Sequence, residues 1–247
     1  MEPSENTTEA LVRQLTGSIR PAGFFSSAGN KNTQNGAAAA SPRAILWAAR
    51  TLDGGAVEVT PLFNGLPADP ALKLAKRVER MRFLAQYWPE PALYQRDAMP
   101  TVALQGAATG YPQNKAQNMR AYLPLIPAYL ATGQRPKAET VVEYLVQNGA
   151  GLNEKLRMLL NKVAVSLRKG GEPQNALDCY MVLRKFHGED EHLDFNIART
   201  LFDMKRYKEC QAVLQKAVST NPGFRPAAVF LQKLERIPAL RGCPPSG

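Results

Sequence analysis

His187 and His192 are the only imidazoles in the chain, and they frame the segment HGEDEH, with Glu189, Asp190 and Glu191 between them. Imidazole and carboxylate are ordinary metal ligands, so these residue types could hold a divalent cation. Their place in the chain argues for a structural role instead. The acids open an apolar-periodic segment, where the dipole of a starting helix favours carboxylates. No phosphate-cradling glycine loop, GxSxG, HExxH or GxGxxG occurs. The expectation is a non-enzymatic protein without cofactor or metal.

A second group of side chains could bind anions. Lys73, Lys76, Arg77 and Arg80 share a face if residues 73–80 are helical, opposite an apolar stripe of Leu74, Val78, Met81, Ala85 and Trp88. Such a face could meet nucleic acid or an anionic surface, although solvated charge explains it as well. The segment lacks the interleaved aromatics that single-strand binders use for base stacking. The whole chain of 247 residues carries a formal charge of +10, and residues 158–247 hold half of it. That balance suits an acidic protein, a nucleic acid or an anionic membrane surface as partner. Cys179, Cys210 and Cys243 show no CxxC spacing, and two lie in helical patterns, as reduced thiols of a cytoplasmic protein would. No run of about 18 apolar residues is present, so no membrane span is expected.

The elements that would position a binding surface are visible in a repeat. Val163-Ala164, Leu167, Gly171, Ala176, Tyr180 and Leu183 return 34 positions later as Ile197-Ala198, Leu201, Lys205, Cys210, Leu214 and Ala217. A period of this length made of two helices marks a helical repeat architecture. Ala164 and Ala198 are small where two helices must approach closely. Asn221-Pro222 closes the second copy. Tyr122, Leu125-Ile126, Tyr129, Gly133, Ala138, Val142 and Leu145 form a third, degenerate copy with four extra residues before the next unit. Pro124 and Pro127 interrupt its first helix, which predicts packing that is looser or kinked. PAAVFLQKLER, residues 226–236, reads as a capping helix with Val229, Phe230 and Leu234 turned inward.

The copy FNIARTLFDMKRYKECQAVLQKAVSTNP resembles the tetratricopeptide-repeat family. The earlier copy departs from the family pattern at Pro173, where an aromatic is usual, and at Gly188, where a Pro is usual. Pro suits a helix's first turn and Gly a C-terminal cap. The resemblance implies a mainly α fold: a right-handed solenoid of antiparallel helix pairs over 119–236, closed by the capping helix. It also implies a concave groove lined by first helices. By the family's pattern Asn161, Lys162, Val165, Arg168, Lys169, His192, Phe195, Asn196, Arg199 and Phe202 project into it. Cations beside aromatics suit an acidic or carboxylate-bearing peptide with a bulky apolar anchor. Of the chaperone-clamping constellation some members carry, Asn196 matches, while Val165 replaces its partner Asn. A chaperone clamp is therefore not expected.

Ahead of the repeats, residues 1–42 are rich in Ser, Thr, Asn, Gly and Ala and read as a flexible tail. Within it Leu11, Val12, Leu15 and Ile19 make one amphipathic face. Residues 43–66 read as a β-hairpin about Asp53-Gly54-Gly55. Residues 67–118 read as a helical linker, with helix starts at Asp69-Pro70 and at Pro89-Glu90-Pro91. Residues 237–247 read as a flexible C-terminal tail. The function expected is that of an adaptor or scaffold that binds a peptide segment of another protein. Binding of nucleic acid or an anionic surface through residues 73–80 is the alternative.

Overall fold

The computed structural model describes residues 5–27, 45–101, 110–149, 154–188, 190–234 and 236. The chain is mainly helical, with a small antiparallel sheet toward its N-terminus. It divides into two compact units, one of residues 12–151 and one of residues 1–11 with 152–247.

The unit of residues 12–151 is built on strands β1 (Gly23–Ser27), β2 (Ile45–Thr51), β3 (Val57–Phe63), β4 (Leu66–Pro67), β5 (Lys76–Val78) and β6 (Trp88–Pro89). The order is β4-β3-β2-β1-β6, with β5 also paired to β3, all antiparallel. The expected hairpin is present as β2–β3. Gly54 and Gly55 adopt φ of 82° and 86° at its turn, conformations that glycine adopts without steric cost. The hairpin is part of a six-stranded sheet, and that sheet corrects the flexible-tail reading of residues 1–42. Residues 5–18 form helix α1 (Glu5–Ser18), and β1 lies inside the sheet. The cause is Phe24-Phe25, a pair that averaging over a polar window conceals. Both rings are buried; Phe24 meets Tyr94 edge-on at 5.0 Å, and Phe25 contacts Phe83 at 4.8 Å and Tyr122 at 5.5 Å. The Tyr122 hydroxyl accepts from Phe24 N at 2.8 Å and donates to Phe24 O at 2.7 Å. A Cβ at Gly23 would lie 2.6 Å from that hydroxyl, so this clamp requires glycine. The expected Asn30–Ala40 portion of the tail lies outside the described residues.

Residues 67–118 are not a helical linker throughout. Asp69 accepts from Ala71 N at 2.8 Å and starts only a 3-10 turn, Pro70–Leu72, which ends at Lys73 in the left-handed region. The expected basic helix 73–80 is instead strand β5, because residues 76–78 pair with 57–59 of β3. Its supposed inward stripe is therefore dispersed: Val78 is buried, while Leu74, Met81 and Trp88 remain about two-fifths exposed. Helix α2 (Arg80–Gln86) follows, capped by Glu79, and α3 (Pro91–Leu93) opens at the expected Pro and runs into a π-helical turn, Tyr94–Ala98.

Helices α4 (Lys115–Tyr122), α5 (Leu125–Ala131) and α6 (Arg135–Gln147) complete this unit. They contain the degenerate repeat, which the division of the chain groups with the sheet. Its first helix breaks at Leu123-Pro124, as the prolines dictate. The kinked alternative is the one realised, and all of Leu125–Ala131 beyond the break is buried.

The other unit contains α7 (Glu154–Lys169), α8 (Pro173–His187), α9 (Glu191–Asp203), α10 (Tyr207–Thr220) and α11 (Arg225–Leu234), each packed on the next. The repeat positions Val163, Ala164, Leu167, Ala176, Tyr180 and Leu183 are buried, as are Ile197, Ala198, Leu201, Cys210, Leu214 and Ala217. The helix-pair turn is the same in all three copies. Gly133, Gly171 and Lys205 adopt φ of 72°, 88° and 60°. The next N–H then donates back to the carbonyl five residues earlier, Gln134 to Tyr129, Glu172 to Leu167 and Arg206 to Leu201, at 2.8, 2.8 and 2.9 Å. This closure satisfies a carbonyl that the helix end would otherwise orphan. In the capping helix Leu234 is buried, but Val229 is 49% exposed, which corrects its inward placement. Residues 237–247 lie outside the described residues. No helix among the described residues is long and apolar enough to cross a membrane.

Candidate functional site

The strongest candidate site lies on α9 and α11. Phe195 and Phe202 are seven residues apart on α9, two turns along one face. Their rings are joined through the capping helix: Phe230 stands 6.0 Å from Phe195 and 5.4 Å from Phe202. Phe224 extends the row, edge-on to Phe195 at 5.7 Å and to His192 at 4.8 Å, and Tyr207 ends it, 5.5 Å from Phe202. These rings are half-buried, His192 excepted, which is exposed. Edge-to-face packing holds such a row without covering its outer surface.

Beside the row is an open cleft of about 500 Å³, lined by Phe195, Pro226, Val229 and Phe230 and rimmed by Arg199, Arg225 and Lys233. The Arg199 guanidinium lies 5.9 Å above the Phe195 ring. Among the described residues no carboxylate pairs with any of these three cations. The cleft therefore combines an apolar floor with uncompensated positive charge at its edge.

A second depression, of about 310 Å³, lies between α7, the end of α8 and α9. Asn161, His192 and Asn196 line it with Arg157 and His187. Asn196 Nδ2 donates to Asn161 Oδ1 at 3.4 Å. Charge here is balanced within the fold. Arg157 forms a two-pronged pair with Glu154 at 2.6 and 2.8 Å and contacts His187 Nε2 at 3.2 Å. The Arg157 hydrogen bonds hold the Glu154 carboxyl below its usual range.

The ten sequence-identified residues thus separate by role. Phe195, Arg199 and Phe202 belong to the cleft and its aromatic row, and Asn161, His192 and Asn196 to the smaller depression. Lys162 and Lys169 are exposed and Val165 is half-buried. Arg168 is committed elsewhere: its Nη1 lies 2.6 Å from Asp203 Oδ2, and its side chain is only 13% exposed. Sequence reasoning missed Arg225, Phe230 and Lys233 as lining residues of the cleft and Phe224 as a member of the aromatic row. The spacing of Arg225, Val229 and Lys233 at four and eight was the available signal, since it places a mixed cationic and apolar ridge on one helix face.

The HGEDEH segment has a structural use. Asp190 caps α9, accepting from Leu193 N at 2.9 Å, and Glu191 Oε1 accepts from Asn221 at 3.1 Å. Glu189 lies outside the described residues. Among the described residues no three His, Cys, Asp or Glu side chains converge on a common point. Cys179 and Cys210 are buried free thiols, and burial raises the Cys210 pKa to about 11, the opposite of an activated thiolate. No known protein family, curated protein or solved structure matches the chain.

Proposed function

We propose that this chain is a non-enzymatic adaptor of tetratricopeptide type, whose helix pairs form a right-handed solenoid and whose α9–α11 cleft takes an acidic peptide bearing one bulky apolar side chain. The observation that carries the reading is the cleft itself: an apolar floor of Phe195, Val229 and Phe230 beneath three cations that no carboxylate of the described fold neutralises. A buried anchor supplies most of the affinity in such a site, while rim charges select the partner and speed encounter. The common position of Gly133, Gly171 and Lys205 in the left-handed region supports one repeated helix-pair design.

The test is fluorescence anisotropy with labelled peptides in which a single Phe or Leu is set among Asp and Glu, against the same anchor among Lys and against an acidic peptide lacking the anchor. Binding is expected for the first class alone, with affinity falling as salt screens the rim. Equal binding of acidic and basic peptides would overturn the reading.

A further inference from the structure

The unit of residues 12–151 concentrates positive charge at one sheet edge without neutralising it. Lys73, Lys76, Arg77 and Arg80 fall within eight residues. Among the described residues none of them has an ion pair. The β3–β5 ladder, with Val57 opposite Val78 and Glu58 opposite Arg77, brings this segment beside the β2–β3 turn.

Both arginines reach that turn. A Cβ on Gly55 would lie 2.1 Å from Arg80 Nη2, 2.5 Å from Cζ and 2.9 Å from Nη1, and a Cβ on Gly54 would lie 4.0 Å from Arg77 Nη2. Consecutive Cα atoms are about 3.8 Å apart, so the two guanidinium groups lie against adjacent residues. Arg80 Nε is buried there without a hydrogen-bond partner. The nearby carboxylates do not answer this charge. Glu58 binds Arg50 at 2.6 Å, Glu79 accepts from Arg82 N at 3.3 Å, and Asp53 is exposed and makes no ion pair.

We infer that Arg77 and Arg80, gathered against the Gly54-Gly55 turn, form a binding site for a phosphate group. Two guanidinium groups drawn to one turn without a carboxylate partner, one of them with an orphaned buried N–H, are unfavourable alone and become favourable when an anion answers them. The planar fork of a guanidinium presents paired donors to a tetrahedral oxyanion, which an ammonium cannot do. The two glycines leave the turn free of side chains that would block the approach. Lys76 is not part of the site: it alternates with Arg77 on β5 and lies 5.1 Å over the Trp47 ring on the other face of the sheet. A free phosphate, a phosphorylated small molecule and a lipid headgroup all present this chemistry. The site lies within one unit and is independent of the peptide cleft.

The experiment titrates the full chain with inorganic phosphate, at ionic strength fixed with chloride, and follows the heat of binding by calorimetry. Saturable binding is expected, lost in R77Q/R80Q and weakened about tenfold in R80K, which keeps the charge and loses the fork. G55A should weaken it similarly with no change of charge, because the new methyl displaces the Arg80 guanidinium. Its positive φ strains alanine, so R80K, which leaves the backbone alone, remains decisive if G55A does not fold. Vesicles of phosphatidylserine and phosphatidylcholine are then added to the phosphate complex. Displacement assigns the site to a lipid headgroup and retention of phosphate assigns it to a soluble ligand; each supports the site. No saturable response beyond chloride, or wild-type binding by R80K, would overturn it.

Discussion

Arg168 on α7 and Asp203 at the end of α9 meet at 2.6 Å across 35 residues of sequence. The contact ties the first helix of one repeat to the first helix of the next, so a side chain that the repeat pattern assigns to partner binding is used inside the fold. Asp203 is more than a third exposed, which screens the pair and limits its worth. A double-mutant cycle on R168A and D203A, measured by urea denaturation, is expected to give a coupling of about 0.5–1 kcal/mol. A coupling indistinguishable from zero would remove the pair from the account of how the repeats are joined.

The turn between α9 and α10 holds Lys205 at φ 60°, where its counterparts are Gly133 and Gly171. A left-handed conformation costs a side-chain-bearing residue roughly 1–2 kcal/mol, offset in part by the greater freedom glycine loses on folding. Lys205→Gly is therefore expected to stabilise the unit by about 0.5–1 kcal/mol, and Gly171→Ala to destabilise it. Thermal melts of both variants check the pair of signs. A Lys205→Gly variant less stable than the parent would show that the lysine side chain contributes something the turn geometry does not.

Ala198 is fully buried where α9 packs on its neighbours. Ala198→Leu should cost about 1–3 kcal/mol, because the added volume must be accommodated in a close-packed contact. Chemical denaturation at an unchanged midpoint and slope would mean that the contact is not close-packed.

Lys137 is buried, with its ammonium donating to Leu84 O and, at 2.9 Å, to Ala85 O near the end of α2. Burial lowers its pKa from the ordinary 10.5 to about 8. Between those values the unfolded chain binds the proton that the folded chain has released, so stability rises with pH through that window. Urea midpoints measured from pH 7 to 9.5 should increase in the wild type above pH 8. Lys137→Met should flatten that rise. A wild-type midpoint that falls over this range would contradict the assignment.

What the sequence reveals here depends on the range of the interactions that form each element. The helix pairs of residues 154–220 are local: small residues at Ala164 and Ala198 and left-handed turns at Gly171 and Lys205 recur at one offset, and they pack where that offset places them. Strand β1 has only five residues and owes its place to Phe24 and Phe25 meeting Tyr94, Phe83 and Tyr122, partners about 60 to 100 positions away. Strand β5 shows the same limit. Lys76–Val78 fits a helical stripe on paper, but a left-handed Lys73 and the ladder to β3 draw it into the sheet. The candidate cleft was half legible, because α9 carries a repeat signature and the α11 ridge does not.

The central claim is that the cleft between α9 and α11 selects an acidic peptide. Charge reversal tests it most directly, with affinity measured for one labelled peptide that carries a Phe among acids. R199E/R225E/K233E should abolish binding, and Phe230→Ala should weaken it by about 2 kcal/mol, the scale of a buried aromatic anchor. K73E/R77E, at the sheet edge, should leave it within experimental error. The reverse ranking, with the sheet-edge pair essential and the cleft triple silent, would contradict the account.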